Sequence, residues 1–163
     1  MHLIRHFQTV EHGKFIGASD PSIDLSSLPE FLSPLCERII CSPKKRALES
    51  CKILFPNQQF EICPDFAEIN YGLWEGLTWK EIERRWPLLA AQKMDSWFAV
   101  TAPQGEEWNS FVQRVTGALQ SLGDQLESTA VIAHQGVNAI IHSLFTGSNP
   151  LTFKQGYGEI IEL

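Results

Sequence analysis

The sequence lacks any apolar run approaching the roughly 20 residues that a helix needs to span a bilayer. No helical membrane span is therefore expected. It lacks an excess of basic residues: 13 Lys and Arg stand against 19 Asp and Glu, giving a net charge of −6. That balance argues against a nucleic-acid surface. Neither nucleic acid nor membrane is expected as a partner. Cysteine is scarce, and Cys36, Cys41, Cys51 and Cys63 show no CxxC spacing, so no metal site is expected from them. Cys41 and Cys51 read as small apolar core side chains of a protein in a reducing cytoplasm. No repeat or low-complexity tract is present. The 163 residues are long enough for a real core and are expected to form one domain, 1–163. The chain opens on what reads as a strand carrying Arg5 and His6, not on a signal peptide.

That opening is the most informative stretch present. Leu3 and Ile4 start a short buried strand that breaks into Arg5-His6. In open α/β sheets, ligands bind beyond the carboxyl ends of strands. Arg suits a phosphate because its planar fork is always charged and donates paired hydrogen bonds. An adjacent Arg also favours neutral, nucleophilic His by like-charge repulsion. Taken alone, the dipeptide also fits a solvated strand end.

Further along, the pattern alternates. Gly17 to Pro34 reads as irregular, with one helical turn near Leu28 to Leu32. Arg38 to Ser42 is a second strand. Ser42-Pro43 then predicts a helix start, with Ser42 as N-cap and Pro43 at the first helical position, running to Leu54. Arg46 falls in its first turn. Phe60 to Cys63 is a short strand, and Phe66 to Gly76 has the composition of a site loop. Thr78-Trp79-Lys80-Glu81 is a capping box for a helix ending near Trp86-Pro87, followed by a helix over Leu88 to Phe98. From Glu107, the residues Trp108, Phe111, Val112, Val115, Ala118, Leu119 and Leu122 form one apolar helical face, closed by Gly123. Thr129 to His134 is an apolar strand ending in His. A helix from Val137 to Phe145 stops at Gly147, and Gly158 to Leu163 reads as an edge strand.

Strands alternating with helices predict an α/β three-layer sandwich around a mostly parallel sheet. Carboxyl ends of parallel strands share one edge. Arg5-His6, Arg46 and His134 should therefore converge. Two Arg and two His around one point suit a phosphoryl group, with charge for its equatorial oxygens and a nucleophile in line.

With these residues in view, the sequence resembles the histidine phosphatase superfamily, also called the phosphoglycerate mutase-like family. The pieces that carry the resemblance are Arg5-His6 with Gln8-Thr9, Ser42-Pro43 with Arg46-Ala47, Glu68 through Tyr71-Gly72 to Trp74-Glu75-Gly76, and Ala133-His134-Gln135-Gly136-Val137. They fall in order along nearly the whole chain. The resemblance implies a helical lid insertion at about 69–106. It implies His6, Glu68 and His134 as catalytic residues: His6 is transiently phosphorylated and Glu68 is the general acid. It implies phosphate contacts from Arg5, Arg46, Thr9, His12 and Gln135, with His134 also holding the phosphate. No cofactor or metal is implied, and the implied partner is a small-molecule phosphate ester. Pro103-Gln104-Gly105-Glu106, Phe111 with Arg114-Val115, and Gln155-Gly156 further resemble the alpha-ribazole phosphatases, which act in cobalamin nucleotide-loop assembly.

Three departures from the family pattern stand out. Phe7 replaces the usual Gly, and its ring either crowds the phosphate or enters the core. His12 replaces a common Asn. The stretch between Gly17 and Arg38 is short and lacks the common helix. Two alternatives to a phosphatase remain open: a phosphoglycerate mutase-like phosphotransferase, and a weakly active phosphate-binding pseudo-enzyme. The tryptophans Trp74, Trp79, Trp86, Trp97 and Trp108 either form a satellite core or stack on an aromatic leaving group. Glu75 is expected to brace its loop. His2 and His142 are expected at packed or surface positions. The sequence does not bear on oligomeric state.

Overall fold

The computed structural model describes residues 1–123 and 126–163. Five strands, β1 (His2–Arg5), β2 (Arg38–Cys41), β3 (Glu61–Ile62), β4 (Thr129–Ala133) and β5 (Ile160–Glu162), form one sheet in the order β3-β2-β4-β1-β5. β3, β2, β4 and β1 are parallel, and only β5 runs against its neighbour. The expected mostly parallel sheet with the last strand at its edge is what the chain forms, and the structure adds that this edge strand is antiparallel.

Strand alternation sends successive side chains to opposite faces. Leu3, Ile40, Val131 and Ala133 pack on one face with Phe111, Val115 and Leu119 of α4 (Trp108–Ser121) and with Val137, Ile140 and Ile141 of α5 (Gln135–Thr146). Ile4, Ile39, Cys41, Ala130 and Ile132 pack on the other with Ala47, Cys51 and Leu54 of α1 (Lys45–Leu54). Helices on both faces of the sheet make three layers. The segment around α2 (Trp79–Arg85) and α3 (Pro87–Asp95) builds its own small core on Trp74, Ile82, Ala90 and Ala102. Thr78 and Glu81 form the expected capping box of α2.

Several expected boundaries are corrected. α1 begins at Lys45 with Lys44 as N-cap, so Ser42-Pro43 does not cap it. The Ser42 hydroxyl lies 2.6 Å from His134 Nε2 and keeps only a long local bond, from the Lys44 N–H at 3.3 Å. Long-range pairing outcompetes the local cap here. The turn expected near Leu28 to Leu32 forms at Leu25–Ser27, where the Asp24 carboxylate accepts the Ser26 N–H. α3 starts on Pro87 and ends at Asp95, and α5 starts at Gln135. A short 3₁₀ turn at Pro150–Thr152, capped by Asn149, carries no periodic signal and was not expected.

Phe7 enters the core. It is fully buried beside Phe31, and its backbone N–H donates to Ser50 Oγ at 2.9 Å. The ring lies so close over Gly158 that a Cβ there would stand 2.8 Å from it. Gly158 also has a φ of 74°, so two independent reasons favour glycine. Phe7→Ala should therefore lower stability by about 3–5 kcal/mol. A urea midpoint unchanged from wild type would show that the ring does not support the core.

Candidate active site

Register brings the site together. Leu3 pairs with Val131, Arg5 with Ala133, and Cys41 with Ile132. The residues that follow these three adjacent strands, His6, His134 and Ser42, therefore emerge side by side. The His6 N–H donates to Ala133 O at 3.0 Å and the Ser42 N–H to Ile132 O at 2.9 Å. The His6 and His134 rings lie 5.1 Å apart between centroids.

A cavity of about 330 Å³ opens over these ends, with Arg5, His6, Thr9, Arg46, Glu68 and Gln135 among its lining residues. His6 is buried, and its Nδ1 lies 2.6 Å from the Phe7 carbonyl. A carbonyl can only accept, so Nδ1 carries the proton and Nε2 keeps its lone pair. Burial, then the Arg46 charge, lower the His6 pKa to about 3; Arg5 adds to this and the Phe7 bond opposes it. His6 is thus a neutral imidazole with an available nitrogen. His134 is fully buried, and burial, Arg46 and His6 hold its pKa well below the ordinary value. A Ser42 hydroxyl donating to its Nε2 leaves the proton on Nδ1, which has no hydrogen-bond partner among the described residues.

Arg5 and Arg46 arrive differently. Arg5 stacks on the Tyr157 ring at 3.9 Å and donates from one terminal nitrogen to Gln155 O at 2.6 Å. Arg46 is 1% exposed and donates to the carbonyls of Gly17 and Ser19 at 3.1 and 2.8 Å. The Nε atoms of both are buried without a partner among the described residues. Unpaired buried donors are costly unless something polar meets them, so this donor set suits an anion.

Glu68 faces these cations from the loop after β3. It accepts the N–H groups of Gly136, in the first turn of α5, and Ile69, at 3.1 and 3.0 Å. Burial raises its pKa, against the opposing pull of those two bonds, Arg46 and Arg5. The approach depends on glycine: a Cβ on Gly136 would stand 2.5 Å from Glu68 Oε1. Glu75 has a different task. Its carboxylate accepts the N–H groups of Gly17, Ala18, Ser19 and Tyr71 and the Ser19 hydroxyl. It ties the Gly17 loop to the Tyr71 loop, as a brace should.

Not every expected residue reaches the cavity as a free ligand. Thr9 lines it, but its hydroxyl donates to Glu11 O. Gln135 lines it while its amide bonds Phe153 O and Gln155 N. His12 is exposed and outside the lining, close enough to Asp24 to help lower that carboxyl's pKa, which its bonds to Ser26 depress most. The turn after Thr9 carries His12 outward and brings Lys14 and Phe15 to the cavity instead. Lys14, Phe15 and Tyr157 were missed. Only the Gln155-Gly156 cue before the last strand pointed towards Tyr157. Of the tryptophans, Trp79 lines the cavity, Trp74 and Trp86 sit in the small core, Trp97 packs on Trp79, and Trp108 stacks on Phe98 against the main core.

Comparison with known proteins places this arrangement. The alpha-ribazole phosphatase from Shigella flexneri superposes with a TM-score of 0.83 at 19% identity, covering 98% of this chain and 87% of that one. A phosphoserine phosphatase from Entamoeba histolytica, in complex with 3-phosphoglyceric acid, gives 0.79 at 19% identity over 98% and 87%. These likenesses concern the fold. A 6-phosphofructo-2-kinase/fructose-2,6-bisphosphatase from Caenorhabditis elegans is 29% identical over 108 residues, 66% of this chain and 23% of that protein. Human 6-phosphofructo-2-kinase/fructose-2,6-bisphosphatase 4 is 26% identical over 155 residues, 89% of this chain and 32% of that protein. The chain spans less than a third of the length of these two relatives. The model of the histidine phosphatase superfamily (branch 1) matches residues 1–160, and the chain belongs to that superfamily.

Proposed function

We propose that the protein is a phosphomonoesterase that works through a phosphohistidine on His6. The observation that carries this reading is the state of His6: neutral, with Nδ1 tied to Phe7 O and Nε2 available, between two arginines. In the first step the Nε2 lone pair attacks phosphorus while the bond to the leaving oxygen breaks. Glu68 gives that oxygen its proton. In the second step water attacks the phosphohistidine, the P–N bond breaks, and the Glu68 carboxylate takes the water proton. Arg5, Arg46 and the His134 Nδ1–H would hold the equatorial oxygens. The scheme uses no metal, because the two guanidinium groups supply the positive charge. The single-domain reading of 1–163 and a cytoplasmic setting belong to this proposal.

The leaving group is read from the rest of the lining. Phe15, Tyr71, Trp79 and Tyr157 contribute aromatic surface, and the one further cation among the lining residues, Lys14, is paired with Glu11 at 3.0 Å. Flat rings and a single occupied lysine favour a monoester whose leaving alcohol carries a planar ring system, such as alpha-ribazole 5′-phosphate, over a sugar bisphosphate. The curated relatives named for fructose-2,6-bisphosphatase motivate the competing substrate. The two compounds should be compared directly, and a higher kcat/KM for fructose 2,6-bisphosphate would reverse the preference.

Three further outcomes are expected. His6→Ala should abolish turnover without unfolding the protein, and an acid-labile, base-stable phosphoryl label seen in wild type should vanish; a label that persists would place the nucleophile elsewhere. Glu68→Gln should slow an alkyl phosphate about 10²–10⁴-fold in single turnovers, while p-nitrophenyl phosphate, whose phenolate leaves unaided, changes far less. Equal losses on both substrates would remove Glu68 as the acid. The pH profile follows from the signs of the shifts. Glu68 has a raised pKa, so the alkyl-phosphate rate should fall as pH rises through it. His6, with a pKa near 3, should add no acid limb between about pH 4 and 7. An acid limb near pH 6.5 in the wild-type rate, matched by titration of the His6 ring at that pH in NMR spectra, would contradict this.

A further inference from the structure

Arg114 of α4 lies outside the cavity lining, yet every one of its five N–H donors is engaged around the Glu68 loop. One terminal nitrogen donates to Asp65 O and Ala67 O at 2.6 and 2.8 Å. The other donates to Glu68 O at 3.3 Å and Glu106 Oε2 at 2.8 Å, and Nε donates to Glu106 Oε1 at 2.6 Å. Glu106 passes the constraint on: its Oε2 accepts the Asn70 N–H at 3.2 Å and its own N–H donates to Asn70 O at 2.8 Å. The backbone is thus gripped at 65, 67, 68 and 70, on both sides of the general acid. The guanidinium also lies 4.6 Å over the Phe111 ring, and that ring borders the Gly136 position whose N–H holds the Glu68 carboxylate.

We infer that Arg114, with Glu106, is a positioning residue that fixes the Glu68 carboxyl for proton transfer to the leaving oxygen. The inference rests on Glu68 as the acid of the proposed reaction. The chemistry explains why Arg is needed. A lysine offers one point of charge and cannot span three carbonyls and a bidentate carboxylate in one plane. The site is also half-buried, with the Arg114 and Glu106 side chains 22% and 19% exposed, so the pair is little screened by solvent. Glu106 closes the stretch that follows α3, so the same pair joins that segment to the acid loop.

The test separates positioning from general support. Arg114→Met should lower the single-turnover rate on an alkyl phosphate by about 10²-fold, the scale expected for a displacement near 1 Å, while p-nitrophenyl phosphate stays within a few-fold. Arg38→Met is the matched control. Arg38 makes the same bidentate pairing with Glu61 and a bond to Leu122 O, but at the start of β2, the opposite edge of the sheet from the cavity. It should show no dependence on leaving group. A readout without turnover is the carboxyl ¹³C titration of Glu68, which should move from its raised value towards that of an ordinary carboxyl in Arg114→Met. Equal losses on both substrates, or an unchanged Glu68 titration in the folded variant, would overturn the inference. If Arg114→Met does not fold, Glu106→Gln should give the same pattern at smaller size, and its absence there counts equally against the clamp. A wild-type protein that forms no phosphohistidine would sink the proposed reaction instead, while the titration would still judge the clamp.

Discussion

Two guanidinium groups share one cavity with the His6 imidazole, a second imidazole, His134, is buried against it just behind the lining, and the rest of the site depends on that crowding. Arg46 is buried, Arg5 is half-buried, and each lowers the pKa of both His6 and His134. Two charged imidazoles beside them would be unsupportable at this depth, so both rings stay neutral. Glu68 is the one buried carboxyl group among the described residues, and burial pushes its pKa up despite both arginines. The outcome is a pocket with fixed positive charge, a neutral imidazole and a carboxyl group inclined to keep its proton. Those are the conditions under which a phosphate dianion is welcome and a leaving alkoxide can be protonated.

Holding such a pocket open requires loops that do not relax onto the charges. Two carboxylates outside the chemistry do this. Glu75 gathers the backbone of Gly17 to Ser19 and of Tyr71, and the same 17–19 segment offers its carbonyls to Arg46. The contact is so close that a Cβ on Gly17 would meet Ile69 O. Glu106 does the corresponding work for the Glu68 side through Arg114. Apolar burial of Phe66 and Trp74 anchors the Glu68 loop as well, but the carboxylates fix its backbone. Both loops rest on charge-assisted hydrogen bonds to backbone, which are short and directional and so fix geometry well.

Much of this could be read from the chain beforehand, for reasons specific to particular residues. Apolar runs at Leu3-Ile4, Ile39-Ile40 and Ala130 to Ala133 are short and unbroken because parallel strands are covered on both faces, and they became β1, β2 and β4. The stripe from Phe111 to Leu119 became the buried face of α4. The chemistry at strand ends was legible because parallel strands in one sheet must present their carboxyl ends together. Ser42 misled, because an N-cap signal is local and the partner that overrode it, His134, is distant in sequence. His12 misled because a turn of one or two residues decides whether a side chain faces a pocket or solvent. The fate of Phe7 was open until its ring could be seen over Gly158.

The amino-acid order by itself determined the layer architecture, the place of the Arg5-His6 end of β1, and the identities of the groups that meet there. These follow from periodicity and strand-end position, which are properties of short stretches. Tertiary structure alone decided which polar side chains are free and which are spent. Thr9 and Gln135 line the cavity with their polar atoms already bonded, while the Nε atoms of Arg5 and Arg46 and Nδ1 of His134 are buried unpaired among the described residues. It also decided the tautomer of His6, through a carbonyl one residue away, and the placement of Glu68, through an arginine 46 residues further along the chain. The physical reason is the same in each case. Protonation and hydrogen bonding depend on what lies within about 3 Å, and the backbone and side-chain conformations that decide those neighbours, whether near or far in the chain, are set by the folded structure.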